Sequence, residues 1–142
     1  MSDHGELKKN QIPVLSDAWE IVDGRPHLVG TKCGKCGQAF FPPRAVCTYC
    51  LTDEKVGRAV LGRTGQLYAA TTIRIASKEF NPPYPFGYVI LEPEGIRIPT
   101  QISGVEDADD LPAGTRMEMV IEPFRVDSRG SEWITFKFRP VL

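Results

Sequence analysis

All four cysteines of this chain fall between positions 33 and 50, as the pairs Cys33/Cys36 and Cys47/Cys50. Each pair encloses two residues, and ten separate the pairs. No other feature constrains the fold so tightly. Two intervening residues let both thiolates of a tight turn face one ion, and ten more return a second such turn to complete a tetrahedron. A disulfide inside either pair would close a small, strained ring. Gly34 and Gly37 are expected to supply backbone of positive φ and amides free to reach sulfur. The pattern predicts a zinc ribbon with Cys33, Cys36, Cys47 and Cys50 as ligands. Four thiolates leave no open position, so the site reads as structural. Iron binds in the same geometry, and redox pairs or buried free thiols are the remaining readings.

At 142 residues, the chain suits one domain, or a small domain with an attached module. A core of that size does not depend on a metal alone. With 42% hydrophobic and 25% charged residues, the composition is that of an ordinary globular protein. No apolar run approaches the roughly 20 residues of a membrane span. Residues 1–10 are polar, without the apolar centre of a signal peptide, so a cytoplasmic protein with no membrane partner is expected.

The net charge of −1 conceals an uneven distribution. Residues 25–74 carry eight basic and two acidic side chains, for +6, while residues 75–142 carry seven and eleven, for −4. A metal held by four thiolates would leave the central section near +4. That suits a phosphate-bearing ligand or an acidic partner face, and equally a solvated surface.

Residues 1–13 read as a loose arm ending at Pro13, and residues 16–22 as a short helix capped by Ser16 or Asp17. Gly24 and Pro26 would stop it. So short a helix needs a support, so Trp19 is expected to dock on the core or on a partner. Residues 27–32 read as a strand entering the first cysteine turn. His27 is a strand or surface histidine, because the tetrahedron is already full. Between the pairs, Phe40-Phe41-Pro42-Pro43-Arg44 is a stiff, extended segment whose aromatics cover the metal site or dock it onto the next module. Arg44, held out by it, is a candidate anion contact.

Beyond residue 64 the apolar period becomes two. Leu67, Ala69, Thr71, Ile73 and Ile75 alternate along a first strand at 65–75, and a second spans 86–91. Glu92-Pro93-Glu94-Gly95 is a turn by composition. Ile96, Ile98, Thr100 and Ile102 mark a third strand, with Pro99 at an edge or bulge. Residues 106–110 form an acidic, solvated loop. Met117, Met119 and Ile121 mark a fourth strand, residues 127–130 a turn, and Ile134, Phe136 and Phe138 a fifth. The expected fold is mainly β: an N-terminal arm and helix over 1–26, a rubredoxin-like zinc ribbon over 27–60, and a five-stranded OB barrel over 61–142.

That order of parts resembles the DUF35 family of zinc-ribbon OB-fold proteins associated with acyl-CoA enzymes. The likeness is carried by Leu28-Val29-Gly30-Thr31-Lys32-Cys33-Gly34-Lys35-Cys36-Gly37, by Phe41-Pro42-Pro43-Arg44, and by the Cys47/Cys50 pair. It continues in Thr64-Gly65-Gln66-Leu67-Tyr68 with Thr71-Thr72, and in Pro85-Phe86-Gly87-Tyr88-Val89-Ile90-Leu91-Glu92 followed by Gly95. The resemblance implies a non-catalytic partner of thiolase-type enzymes or related acyl-CoA hydratases and lyases, with acyl-CoA at the interface. The family includes thiolase small subunits such as that of benzoylsuccinyl-CoA thiolase. It also implies that the four cysteines are the family's metal ligands.

The residues themselves are consistent with such a subunit. The histidines are His4 and His27, the cysteines are committed to metal, and no glycine-rich phosphate loop joins a strand to a helix. A CoA phosphate would favour the basic section, with Lys35, Arg44, Arg63 and Arg74 as candidate contacts. The alternative is a single-stranded nucleic-acid module stacking bases on Tyr68, Tyr84, Phe86 and Tyr88. The pI near 6.1 and the acidic barrel oppose it. A rubredoxin-like electron carrier would need iron and leaves the barrel without a role.

Overall fold

The computed structural model describes residues 11–13, 18–78 and 82–141. The expected arm at 1–10 and the cap at Ser16 or Asp17 lie outside the described residues. The period-two segment folds into β6 (Thr64–Ile73), β7 (Tyr84–Glu92), β8 (Arg97–Gln101), β9 (Arg116–Val126) and β10 (Glu132–Pro140). β6 pairs with β7 and β9, β7 with β8, and β9 with β10, all antiparallel. A parallel bridge from Ile102 to Phe138, with the Ser103 amide donating to the Phe138 carbonyl at 2.9 Å, brings β8 against β10. The result is a nearly closed five-stranded OB-like barrel. A strand β1 (Gln11–Pro13) runs parallel to the start of β10, so the C-terminal end of the expected loose arm is a strand.

Alternation places Val89, Leu91, Ile98, Ile102, Met117, Met119, Ile134 and Phe138 inside the barrel. Each such side chain contributes about 1.5–3 kcal/mol on burial. In β6 the alternation breaks. Leu67 pairs with Val89 and Ala69 with Tyr88, so Tyr68 is an extra residue in a bulge. Leu67 points inward, whereas Ala69 and Thr71 are exposed and Ala70 packs on the core. The inward face expected at Ala69, Thr71 and Ile75 is therefore displaced, and Ile75 lies beyond the strand in solvent.

Over its described part, the predicted helix at 16–22 is replaced by a strand. β2 (Trp19–Val22) pairs antiparallel with β3 (Arg25–Cys33), Trp19 against Leu28 and Val22 against Arg25. The cause is the Asp23-Gly24 step, with φ of 52° and 78°. Two successive left-handed residues make the turn whose twist matches a β-hairpin. Trp19 is fully buried in one apolar cluster with Leu28, Leu61 and the barrel interior, so it belongs to the core.

β3 then extends into the ribbon. Its second half pairs with β4 (Ala39–Phe40) on one side and β5 (Val56–Val60) on the other. Gly30 is required there, because a Cβ would collide with the Phe40 carbonyl crossing over it. The aromatic pair divides its work. Phe40 packs with Cys33 and Cys47, while Phe41 meets the Phe136 ring of β10 edge-on at 5.6 Å. One covers the cysteines; the other docks the ribbon on the barrel. The acidic loop is also more structured than expected, because Asp107 caps a 3-10 turn at Ala108–Asp110 and Ala108 is buried.

Candidate metal centre

The first cysteine turn leaves the end of β3. The Gly37 amide donates to the Cys33 carbonyl at 2.8 Å, and the Gly34 amide donates to the Lys55 carbonyl at 2.8 Å. Gly37 has φ of 81°, as the turn demands, whereas Gly34 has no positive φ and instead lies close beneath Lys55. The second turn repeats the device. The Leu51 amide donates to the Cys47 carbonyl at 2.8 Å, and the Cys50 amide reaches Cys47 Sγ at 3.4 Å.

These turns bring all four Sγ atoms within 4.8 Å of one another. Cys33 and Cys50 are 4.0 Å apart, and Cys36 and Cys47 3.6 Å. Four sulfurs at about 2.3 Å from a common ion would stand about 3.8 Å apart, so the cluster is able to bind a metal. Cys33 and Cys47 are buried and Cys36 is exposed. Hydrogen bonding from the Cys36 amide, against the cost of burial, lowers the Cys33 thiol to about 7. Cys50 is pushed up to about 12, chiefly by its hydrogen bond with the Cys36 thiol and by burial. A thiol already near neutrality is a ready first ligand for a cation.

The basic candidates do not converge. Arg63 is a staple: its Nε donates to the Pro26 carbonyl at 3.2 Å and its Nη2 to the Met119 carbonyl at 3.1 Å, joining β3 to β9. Lys35 sits exposed on the first turn, and Arg74 beyond β6 faces the Asp107 charge. Arg44 anchors its backbone on the Thr31 hydroxyl and leaves its side chain exposed. It lines a cleft of about 490 Å³ between ribbon and barrel, together with Phe41, Tyr49 and Arg97. Sequence has no signal for Arg97, which joins Arg44 only because the turn before β8 approaches the second cysteine turn. His27 is in the seam, its Nδ1 2.9 Å from the Leu61 carbonyl. The aromatics Tyr68 and Tyr88 are exposed on the outer barrel face, with Arg97 over the Tyr68 ring at 5.4 Å.

No helix among the described residues is long and apolar enough to cross a membrane. Residues 24–56 match the ChsH2 rubredoxin-like zinc-ribbon domain and residues 59–122 the ChsH2 C-terminal OB-fold domain. A DUF35 domain-containing scaffold protein of Methanothermobacter thermautotrophicus is 32% identical over 86% of this chain and 92% of its own length. The benzoylsuccinyl-CoA thiolase subunit BbsA of Thauera aromatica is 34% identical over 84% of this chain and 81% of its own. Among solved structures, the Ltp2-ChsH2(DUF35) aldolase shares the fold, with a TM-score of 0.64 at 24% identity over 82% of this chain and 86% of that one. With a ribbon and a barrel that both match in sequence, and relatives aligned along most of its length, the chain belongs to the DUF35 family of ChsH2-type zinc-ribbon OB-fold proteins.

Proposed function

We propose that this chain is a non-catalytic, zinc-containing accessory subunit of a thiolase-type acyl-CoA enzyme. It docks on the catalytic subunit and helps shape or gate the acyl-CoA site. The observation that carries the reading is the match to a thiolase subunit through ribbon and barrel together, at 34% identity over 84% of the chain. The side chains support it. The four cysteines converge on one centre, and His27 is engaged with the Leu61 carbonyl, so neither group is placed as a nucleophile–base pair. Cys33, Cys36, Cys47 and Cys50 would hold zinc. Bound there, zinc supplies folding free energy and no step on a substrate. Its setting is the reducing cytoplasm, where such thiols stay available to metal.

For CoA itself, the proposal narrows to Arg44. Among the four basic candidates, it alone lines the cleft beside the second cysteine turn, where Arg97 and Tyr49 join it. Two arginines lining one cleft suit a phosphate group. The test is co-expression with a thiolase-type subunit, followed by size-exclusion chromatography, metal analysis and a thiolysis assay. A colourless hetero-oligomer with one zinc per chain, active only when both subunits are present, is expected. A chain that stays monomeric and leaves thiolysis unchanged overturns the reading.

A further inference from the structure

The two cysteine turns carry the same hydrogen bond at equivalent places, Gly37 N–H to Cys33 carbonyl and Leu51 N–H to Cys47 carbonyl, both 2.8 Å. Yet they fill the left-handed position differently. The first turn uses glycine at φ of 81°; the second uses leucine at φ of 56°. A branched side chain is disfavoured in that conformation, whereas glycine is not. The Leu51 side chain is 82% exposed, so burial among the described residues does not compensate that conformation. Tyr49 beside it is 73% exposed, and Val46 46%. An outlying backbone conformation that presents an apolar side chain to solvent points outside the molecule.

We infer that the tip formed by Val46, Tyr49 and Leu51 is the anchor by which this chain inserts into an apolar pocket of its catalytic subunit. This rests on the accessory-subunit reading above. The tip is rigid, closed by the Leu51–Cys47 bond and by the Cys47 amide on the Thr52 carbonyl at 2.9 Å, so little backbone freedom is lost on docking. Its surroundings identify the kind of partner. Arg44 precedes it, and Asp53, Glu54 and Lys55 follow, all exposed. Exposed charges of both signs flanking an apolar and aromatic segment fit the polar margin of a protein interface. A phosphate backbone or an anionic membrane would call for one sign only. The pocket that fits is apolar, with a mixed-charge rim.

The variants Leu51→Gly and Leu51→Asn relieve the backbone and remove the anchor, and Tyr49→Ala removes its neighbour. Each is measured for melting temperature alone and for affinity to the thiolase-type subunit by calorimetry. The expected result is a crossing of signs. The Leu51 variants melt no lower than wild type, yet bind at least about tenfold more weakly, as a lost interface anchor should. Tyr49→Ala weakens binding in the same direction. Affinity unchanged within twofold overturns the inference, as does a parallel fall in melting temperature, which would make Leu51 structural. If the chain alone is a dimer that Leu51→Gly turns into a monomer, the occupant is a second copy and the inference falls. If wild type binds no thiolase-type subunit, the accessory-subunit reading itself has failed.

Discussion

The cysteine turns and the barrel reach order by opposite routes. Among the described residues, the barrel and the β2–β3 hairpin share one cluster of fourteen buried residues, including Trp19, Leu28, Ile98, Met119 and Phe138. The cluster at the cysteine turns is, among the described residues, Cys33, Phe40 and Cys47, with Cys50 and Val56 packed against them. Three of those five residues are cysteines, whose sulfurs a metal would take. Burial at about 1.5–3 kcal/mol for each large side chain can sustain the first cluster but not the second. The difference teaches that the ribbon is two things. Its base, from Trp19 to Val29, packs with the barrel core; its tip buries too little for that and is expected to depend on coordination.

The largest expected effect breaks the molecule along that line. Cys33→Ser, or removal of metal by a chelator, forfeits a coordination energy on the order of 10 kcal/mol. Hydrogen–deuterium exchange should show loss of protection over residues 33–56 and little change in β6 to β10. Acid should do the same, because thiolates must be deprotonated to hold metal. Barrel amides that lose protection together with the cysteine turns would mean one cooperative unit, and the comparison would fail.

A smaller effect tests what couples the halves. Arg63 is only 15% exposed and reaches Pro26 on β3 and Met119 on β9 with two separate nitrogens. Arg63→Ala removes both bonds and leaves two carbonyls short of a donor, at about 1.5–3 kcal/mol. Arg63→Lys should not restore the loss, because a single ammonium cannot reproduce the planar fork. Chemical denaturation followed by separate probes of ribbon and barrel should show the two transitions drawing apart. Coincident, unshifted transitions would place the coupling in the apolar seam of Trp19, Leu61 and Phe41 alone.

Much of this was legible in the sequence, and the misses share a cause. Cysteine spacing reports a local chemical need, so residues 33–50 read directly. The barrel strands read through period two, because one face of each is buried. The helix expected at 16–22 gives way to a strand at Trp19–Val22, because Gly24 alone signals a stop whereas Asp23 and Gly24 together form a hairpin turn. The β6 bulge has no local signature: Tyr68 is extra only in relation to β7. Arg63 looked like any basic residue until Pro26 and Met119 closed on it, and Arg97 gained a role only by proximity to the second cysteine turn. Period and spacing are properties of the chain. Staples, bulges and clefts are properties of which strands meet.

The smallest expected effect lies in the barrel and sharpens the contrast from its other side. Asp107 accepts from the Asp109 amide at 3.0 Å and from the Thr72 hydroxyl at 3.0 Å, tying the loop before β9 to β6. Those bonds, the Asp109 amide first, and then the Arg74 charge hold its carboxyl below the usual range despite some burial. A carboxyl lowered in the folded state stabilises above its unfolded value of about 3.9 and loses that contribution as pH falls through the folded value. Asp107→Asn keeps the acceptor oxygen but removes the charge, so its loop should respond less to acid than wild type. Melting temperatures measured from pH 6 to pH 2 should fall slightly less steeply for the variant, and the metal content at pH 7 should be identical. An equal slope would show that the loop is held by Ala108 burial and not by the carboxylate. Metal lost at pH 7 would show that barrel and cysteine turns are coupled after all, through contacts that neither Arg63 nor the Trp19 cluster explains.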